Sequence, residues 1–146
     1  MAVIRPDGWD LPLFLHVLGA MVLVGTLATV AVALLASSGP EHSPTLRRLA
    51  FRSLLLVGLP AFVAMLASGE WITHKEGLGG ENDPTWFVIG IIVGDLTALL
   101  LVVSILLAGI ASWKSKHGLG RAAGALVTVA LLASLVAVWA MTAKPA

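Results

Sequence analysis

The sequence contains no cysteine among its 146 residues. A chain without cysteine forms no disulfide, offers no thiolate to a metal ion and cannot attach haem covalently through thioethers. The sequence also contains no hydrolase triad, no glycine-rich phosphate loop and no zinc-binding signature. We therefore assign no catalytic residue and expect that the protein is not an enzyme.

Charged residues are also scarce. They make up 12% of the sequence, whereas soluble domains carry about 25%. Hydrophobic residues make up 58%, and the mean hydropathy is +0.98. This composition predicts an integral, multi-pass protein of the cell membrane, with the lipid bilayer as its surroundings. The net charge of +1 argues against nucleic acid as a partner.

The apolar residues are gathered into four long runs with short polar connections. A helix of about 20 apolar residues crosses a hydrocarbon core ~30 Å thick. The predicted spans cover about residues 11–36, 49–71, 86–112 and 122–142. We predict an all-α fold in which residues 1–146 form one domain, an up-down bundle of four transmembrane helices.

Local signals add detail to these spans. Pro60 lies inside the second span and removes a backbone donor, so we expect a bend there. Asp83 and Pro84 are typical of a helix start, with Asp83 as the cap. Small residues four apart allow helices to approach closely, within the chain or between copies. They occur at Gly90-xxx-Gly94-xxx-Ala98, Gly120-xxx-Gly124 and Gly25-xxx-Thr29-xxx-Ala33.

Basic residues are concentrated at one end of the predicted bundle, which holds six of the nine lysines and arginines. The six are Arg47, Arg48, Arg52, Lys114, Lys116 and Arg121. By the positive-inside rule, this end faces the cytoplasm. Both termini and the glycine-rich loop at residues 77–80 are then predicted to lie outside.

Two polar residues are predicted to lie deep in the bilayer. Asp95 is nine residues past Trp86, or ~13 Å along a helix, and His16 is seven residues past Trp9, or ~10 Å. A carboxylate at this depth costs ~3 kcal/mol, so Asp95 must be partnered, protonated or facing water. Because the two depths are similar, we expect His16 and Asp95 to face each other.

Glu70 and His74 are four residues apart near the outer end of the second span, above this pair. His16, Glu70, His74 and Asp95 are therefore candidate ligands of a metal ion. Histidine with carboxylates suits zinc, manganese or iron better than copper(I). A haem held by His16, with Asp95 beside it, is a further candidate. The alternatives are that His16 and Asp95 form a structural hydrogen bond, or that they do not meet.

The segment from Leu15 to Gly25, LHVLGAMVLVG, resembles the first span of a group of small bacterial membrane proteins. The group includes copper-resistance D-like proteins, HemJ-type protoporphyrinogen oxidases and an uncharacterised family of predicted integral membrane proteins, which is the most similar. The resemblance implies a bacterial protein in which His16 binds haem or a metal. A tryptophan frequent in the group is replaced here by Leu23-Val24, and the HemJ activity is not implied.

Three classes of function follow from these residues. The first is a membrane protein that holds haem or a transition metal through His16, with a role in redox chemistry or metal handling. The second is a non-catalytic accessory subunit of a larger membrane complex. The third is a component of a proton- or metal-coupled transporter, which would require a homo-oligomer because one bundle of this size is small for alternating access.

Overall fold

A computed structural model describes residues 8, 10–37, 44–80, 83–114 and 117–143. They form helices, and no strand occurs in these ranges. The helices are α1 (Asp10–Ala36), α2 (Pro44–Ser53), α3 (Leu59–Glu76), α4 (Thr85–Lys114) and α5 (His117–Ala143). A π-helical segment, Leu54–Gly58, joins α2 to α3, so four long helices are apolar enough to cross a membrane. The predicted all-α fold with four membrane-spanning helices is confirmed.

The second long helix extends further than its apolar run of residues 49–71. It begins at Pro44 and ends at Glu76. Proline is well tolerated in the first turn of a helix, and Gly77 ends the helix in the left-handed conformation with φ 65°. Hydropathy marks only the part of a helix that matches lipid, whereas these two residues set its ends.

The helix is not regularly α-helical before Pro60. In the segment Leu54–Gly58 the N–H of Leu59 donates to the carbonyl of Leu54, five residues earlier. A π-helical turn is one way to accommodate the donor that proline lacks. The chain thus forms a π-helical turn just before Pro60, while the bend expected at Pro60 stays a prediction.

The helices have unequal neighbours. α1 packs along α3 and α5, and α5 packs along α4 over the largest contact. The second span meets α4 mainly through α2, at the basic end, because α3 and α4 touch at few points. The bundle is therefore closed at the basic end and more open between α3 and α4 at the other end.

Large apolar side chains and small residues share the interior. Leucines of α1 and α4 are almost fully buried, among them Leu27, Leu34 and Leu101. A Cβ at Gly19 would lie 2.9 Å from the carbonyl oxygen of Ala61, and a Cβ at Gly124 would lie 3.1 Å from the Cβ of Leu34. These two glycines hold α1 close to α3 and α5, respectively.

The other predicted glycine patterns differ in their surroundings. A Cβ at Gly90 would meet the terminal methyl of Met141 at 3.0 Å, so Gly90 packs within the chain. No described atom lies within 4 Å of the Cβ positions of Gly25 and Gly94. Asp83, expected as a cap of α4, accepts backbone hydrogen bonds from Gly79 and Gly80 and so orders the preceding loop.

Candidate functional site

His16 lies where α1 packs against α3. Its Nδ1 is 2.9 Å from the carbonyl oxygen of Met65. The ring lies against Gly69, where a Cβ would be 3.1 Å from the Cε1 of His16. A small residue at position 69 therefore makes room for the imidazole between the two helices.

The hydrogen bond to Met65 determines the tautomer of a neutral His16 ring. A carbonyl oxygen only accepts, so Nδ1 must carry the proton and donate it. The second ring nitrogen, Nε2, then has a lone pair. Within the part of the chain that the structure describes, Nε2 has no hydrogen-bond partner, and the residue is half-buried. Nε2 can accept a hydrogen bond or bind a metal ion.

Asp95 lies on the outer surface of α4. Its side chain is exposed, as are the neighbouring Ile91, Ile92 and Leu99 on the same side of the helix. The core-facing side of α4 carries Thr97 and Leu101 instead. Among the described residues Asp95 has no hydrogen bond and no ion pair. The carboxylate therefore faces outward from the bundle.

The position of Asp95 along α4 places it within the hydrocarbon region. The helix has 30 residues, and Asp95 is the eleventh. If the helix is centred in the bilayer, Asp95 lies about 7 Å from the middle, well inside a core that extends ~15 Å to each side. With that placement, the exposed carboxylate would face lipid in the isolated chain.

His16 and Asp95, expected to face each other, are not brought together in the described chain. His16 contacts α3, and Asp95 lies on the exposed side of α4. α1 has α3 and α5 as its main neighbours, and α4 is not among them. The expectation rested on the similar depth predicted for the two residues, but the direction in which each points around its helix separates them.

Glu70 and His74 form the only other predicted element of this site. The carboxylate Oε1 of Glu70 is 4.0 Å from Nε2 of His74, and the two side chains are 76% and 83% exposed. An ion pair this exposed contributes little to stability. Across the described ranges no three of the histidine, aspartate and glutamate residues are close enough to hold one metal ion. The four candidate ligands therefore do not converge within one chain.

The residues that contact His16 were not identified from the sequence. Met65 acts through its backbone carbonyl, which every residue has, so its identity gives no signal. Ser68 lies in the same turn, and its hydroxyl also donates to the Met65 carbonyl, at 3.0 Å. Gly69 offered the only sequence signal, as a small residue near the end of an apolar span.

Lys75 makes a further contact at this end of the bundle. Its Nζ donates to the carbonyl of Gly8 and lies 5.4 Å above the ring centre of Trp71. The spacing of four residues between Trp71 and Lys75 could have indicated this cation–π contact. The lysine thus connects Gly8 to the end of α3.

Comparisons with models of protein families, with curated proteins and with solved structures give no match for this chain. The function is therefore argued from the geometry of the four spans. What the fold and composition support directly is an integral membrane protein with four spans.

Proposed function

We propose that the protein is an accessory subunit of a membrane complex, bound to a different membrane-spanning polypeptide through the face of α4 around Asp95. The observation that carries the proposal is an exposed carboxylate at the eleventh residue of a membrane-spanning helix, without a partner among the described residues. A carboxylate facing lipid costs ~3 kcal/mol. A donor side chain on a neighbouring helix would remove much of this cost.

The surface beside Asp95 suits a close helix contact. Gly94 precedes it, and no described atom lies within 4 Å of its Cβ position. Ile91, Ile92 and Leu99 supply an apolar surface around the carboxylate. Helix association in lipid depends on close packing with a few polar contacts, and this face offers both.

A different polypeptide fits this face better than a second copy of the chain. Three threonine hydroxyls within the spans, those of Thr26, Thr29 and Thr128, already donate to carbonyls of their own helices. His16 uses its Nδ1 proton for Met65. A two-fold contact would instead place two Asp95 carboxylates together, and like charges repel at short distance. The expected partner therefore carries a lysine, arginine, histidine or amide donor in a transmembrane helix.

Site-specific crosslinking tests this proposal. Because the chain has no cysteine, a single cysteine at Leu99 can carry a photo-crosslinker in the native membrane. We expect a crosslink to a second membrane protein, at a segment with a donor side chain, that disappears in Asp95→Leu. A cysteine at Leu132, an exposed residue of α5, is the matched control and should not give this product.

Two results would overturn the proposal. One is a crosslink from position 99 that is unchanged by Asp95→Leu, because the carboxylate would then have no part in the contact. The other is a product that contains only copies of this chain, because the partner would then not be a different polypeptide. Asp95→Asn is an informative intermediate, since an amide can keep a hydrogen bond without the charge.

The second candidate function is binding of haem or a transition metal through His16. It is favoured by the hydrogen bond from Nδ1 to Met65, because ligating histidines usually donate their other ring N–H to a carbonyl or carboxylate and present Nε2 to the metal. The Met65 carbonyl would orient the ring in place of Asp95. A further ligand would come from a partner chain or from water.

Absorption spectroscopy and metal analysis of the purified protein test this candidate. A bound haem would give a Soret band, and a bound metal a stoichiometric content, that is lost in His16→Ala. His74→Ala is the control, because His74 is exposed and does not contact His16. A colourless protein without bound metal would exclude the candidate for the isolated chain.

A further inference from the structure

Two adjoining cavities open between α2 and α4 at the basic end of the bundle. One has a volume of about 360 Å³ and is lined by Phe51 and Trp113 with residues of α4 that are apolar except for Lys114 at the end of the helix. The other has about 460 Å³ and is lined by Arg48, Arg52 and Ser112 together with the same two aromatic residues. The shared aromatic residues make these cavities one continuous groove with a basic and an apolar part.

The basic part is suited to a phosphate group. Arg48 and Arg52 are four residues apart on α2, both are exposed, and both line the cavity. Guanidinium groups donate paired hydrogen bonds to phosphate oxygens. The residues that line the two cavities include no aspartate or glutamate, so the positive charge is not neutralised there.

The apolar part is suited to a hydrocarbon chain. Its apolar lining residues on α4 run from Ile105 to Trp113, about 12 Å of helix. Gly109 lets the ring of Phe51 pack directly against α4, since a Cβ there would lie 3.1 Å from the ring. Trp113 is 86% exposed at the end of this run, where tryptophan is favoured at a membrane interface.

We propose that this groove binds one anionic phospholipid, with the headgroup phosphate between Arg48 and Arg52 and an acyl chain along α4 beneath Trp113. The charge selects an anionic headgroup, and the apolar run selects a lipid over a free phosphate ion. Basic pockets between transmembrane helices are common sites for such headgroups. The part of α4 that lines the groove begins at Ile105, ten residues past Asp95, so the groove is independent of the function proposed above.

Trp113 provides a direct probe. The sequence has four other tryptophans, Trp9, Trp71, Trp86 and Trp139, and each can be replaced by phenylalanine. The variant that keeps only Trp113 is reconstituted into phosphatidylcholine vesicles with a small fraction of lipid brominated on its acyl chains. Bromine quenches tryptophan at short range, so quenching reports which lipid occupies the groove.

We expect brominated phosphatidylglycerol to quench Trp113 more strongly than the same fraction of brominated phosphatidylcholine. The excess should fall about fivefold for each arginine removed in Arg48→Gln and Arg52→Gln, and it should weaken at high salt. Arg121→Gln is the matched control, because Arg121 is exposed on α5 and does not line the groove. It removes the same charge and should leave the excess unchanged.

Equal quenching by the two brominated lipids in the protein with both arginines would overturn the proposal without any arginine variant. An equal loss in Arg121→Gln and in Arg48→Gln would also overturn it, because a diffuse surface charge would then explain the preference. Circular dichroism of each variant establishes that the helices are intact before the lipids are compared.

Discussion

His16 and Asp95 are predicted to lie at similar depths in the bilayer, but their surroundings in the bundle differ. The imidazole is half-buried between two helices and donates to the Met65 carbonyl, whereas the carboxylate is exposed and has no partner among the described residues. A polar group inside the bilayer is stable only when it is hydrogen-bonded, neutralised or hydrated. For His16, a hydrogen bond within the chain stabilises Nδ1. For Asp95, the stabilising group must come from another molecule.

The difference shows which of the two residues points to a partner. An isolated polar side chain in a transmembrane helix is often assumed to meet the nearest other polar side chain at its depth. Here the imidazole meets a backbone carbonyl instead, which leaves the carboxylate on the outer surface. Experiments that change the surroundings of His16 and of Asp95 one at a time therefore test both the fold and the proposed function.

The largest expected effect is a difference in thiol labelling between the two ends of the bundle, which shows on which side of the membrane each end lies. We expect a cysteine in place of Leu78 to react with an impermeant thiol reagent added to intact cells, and one in place of Gly118 to be protected. Opening the membrane should make the second cysteine reactive, which is the control. The reverse pattern would place the basic end of the bundle outside the cell. The difference between His16 and Asp95 would remain, but the bundle would be inverted in the membrane.

The next effect tests the contact between α1 and α3 around His16. Gly19→Ala places a Cβ 2.9 Å from the Ala61 carbonyl oxygen, so we expect a loss of about 3 kcal/mol in the free energy of unfolding. Gly25→Ala is the matched control on the same helix, because no described atom lies within 4 Å of its Cβ position. It should change the free energy by less than about 0.5 kcal/mol.

Unfolding of the purified protein in mixed micelles measures both values. Similar losses in the two variants would show that α1 does not approach α3 as closely as the structure indicates. The environment of His16 would then have to be reconsidered, because its hydrogen bond to Met65 depends on the same contact.

The smallest effect compares the two polar residues directly. We expect His16→Leu to reduce the free energy of unfolding by about 1 kcal/mol, the usual value of a side-chain hydrogen bond within a membrane. In this variant the Met65 carbonyl still accepts a hydrogen bond from the Ser68 hydroxyl, so it keeps one donor. Asp95→Leu should change the free energy of unfolding of the isolated protein by less than about 0.5 kcal/mol, because the Asp95 side chain is already exposed in the folded chain.

Unfolding in the same micelles measures the change in free energy for both variants. A loss in Asp95→Leu larger than that in His16→Leu would mean that the carboxylate has a partner within its own chain. The difference between the two regions would then disappear, and with it the argument that Asp95 contacts a different polypeptide.

Much of the fold follows from the sequence because apolar length and polar boundaries are local properties. The four spans are predicted in this way, whereas the π-helical turn before Pro60 was not. The ends of the second helix extend beyond the apolar run because Pro44 and Gly77 control them, and neither contributes to hydropathy.

The candidate site was harder to predict because it depends on which helices are neighbours. Counting residues gives the depth of His16 and of Asp95, but not the side of the helix that each occupies in the bundle. The carbonyl of Met65 has no signature in the sequence, and the groove beside Arg48 exists only because α2 meets α4. The surroundings of these side chains therefore depend on contacts between helices that are distant in sequence, and local sequence patterns do not predict such contacts.

The π-helical turn at Leu54–Gly58 also sets the rotational phase of the second span. A π-helical turn holds about one residue more than an α-helical turn, so the helix that follows is rotated by about 100° relative to an uninterrupted α-helix. Without that offset, Met65 and Gly69 would point away from α1 whenever Arg47 faced the interior. The turn thus lets one helix present its basic half and its histidine-binding half to the bundle at the same time.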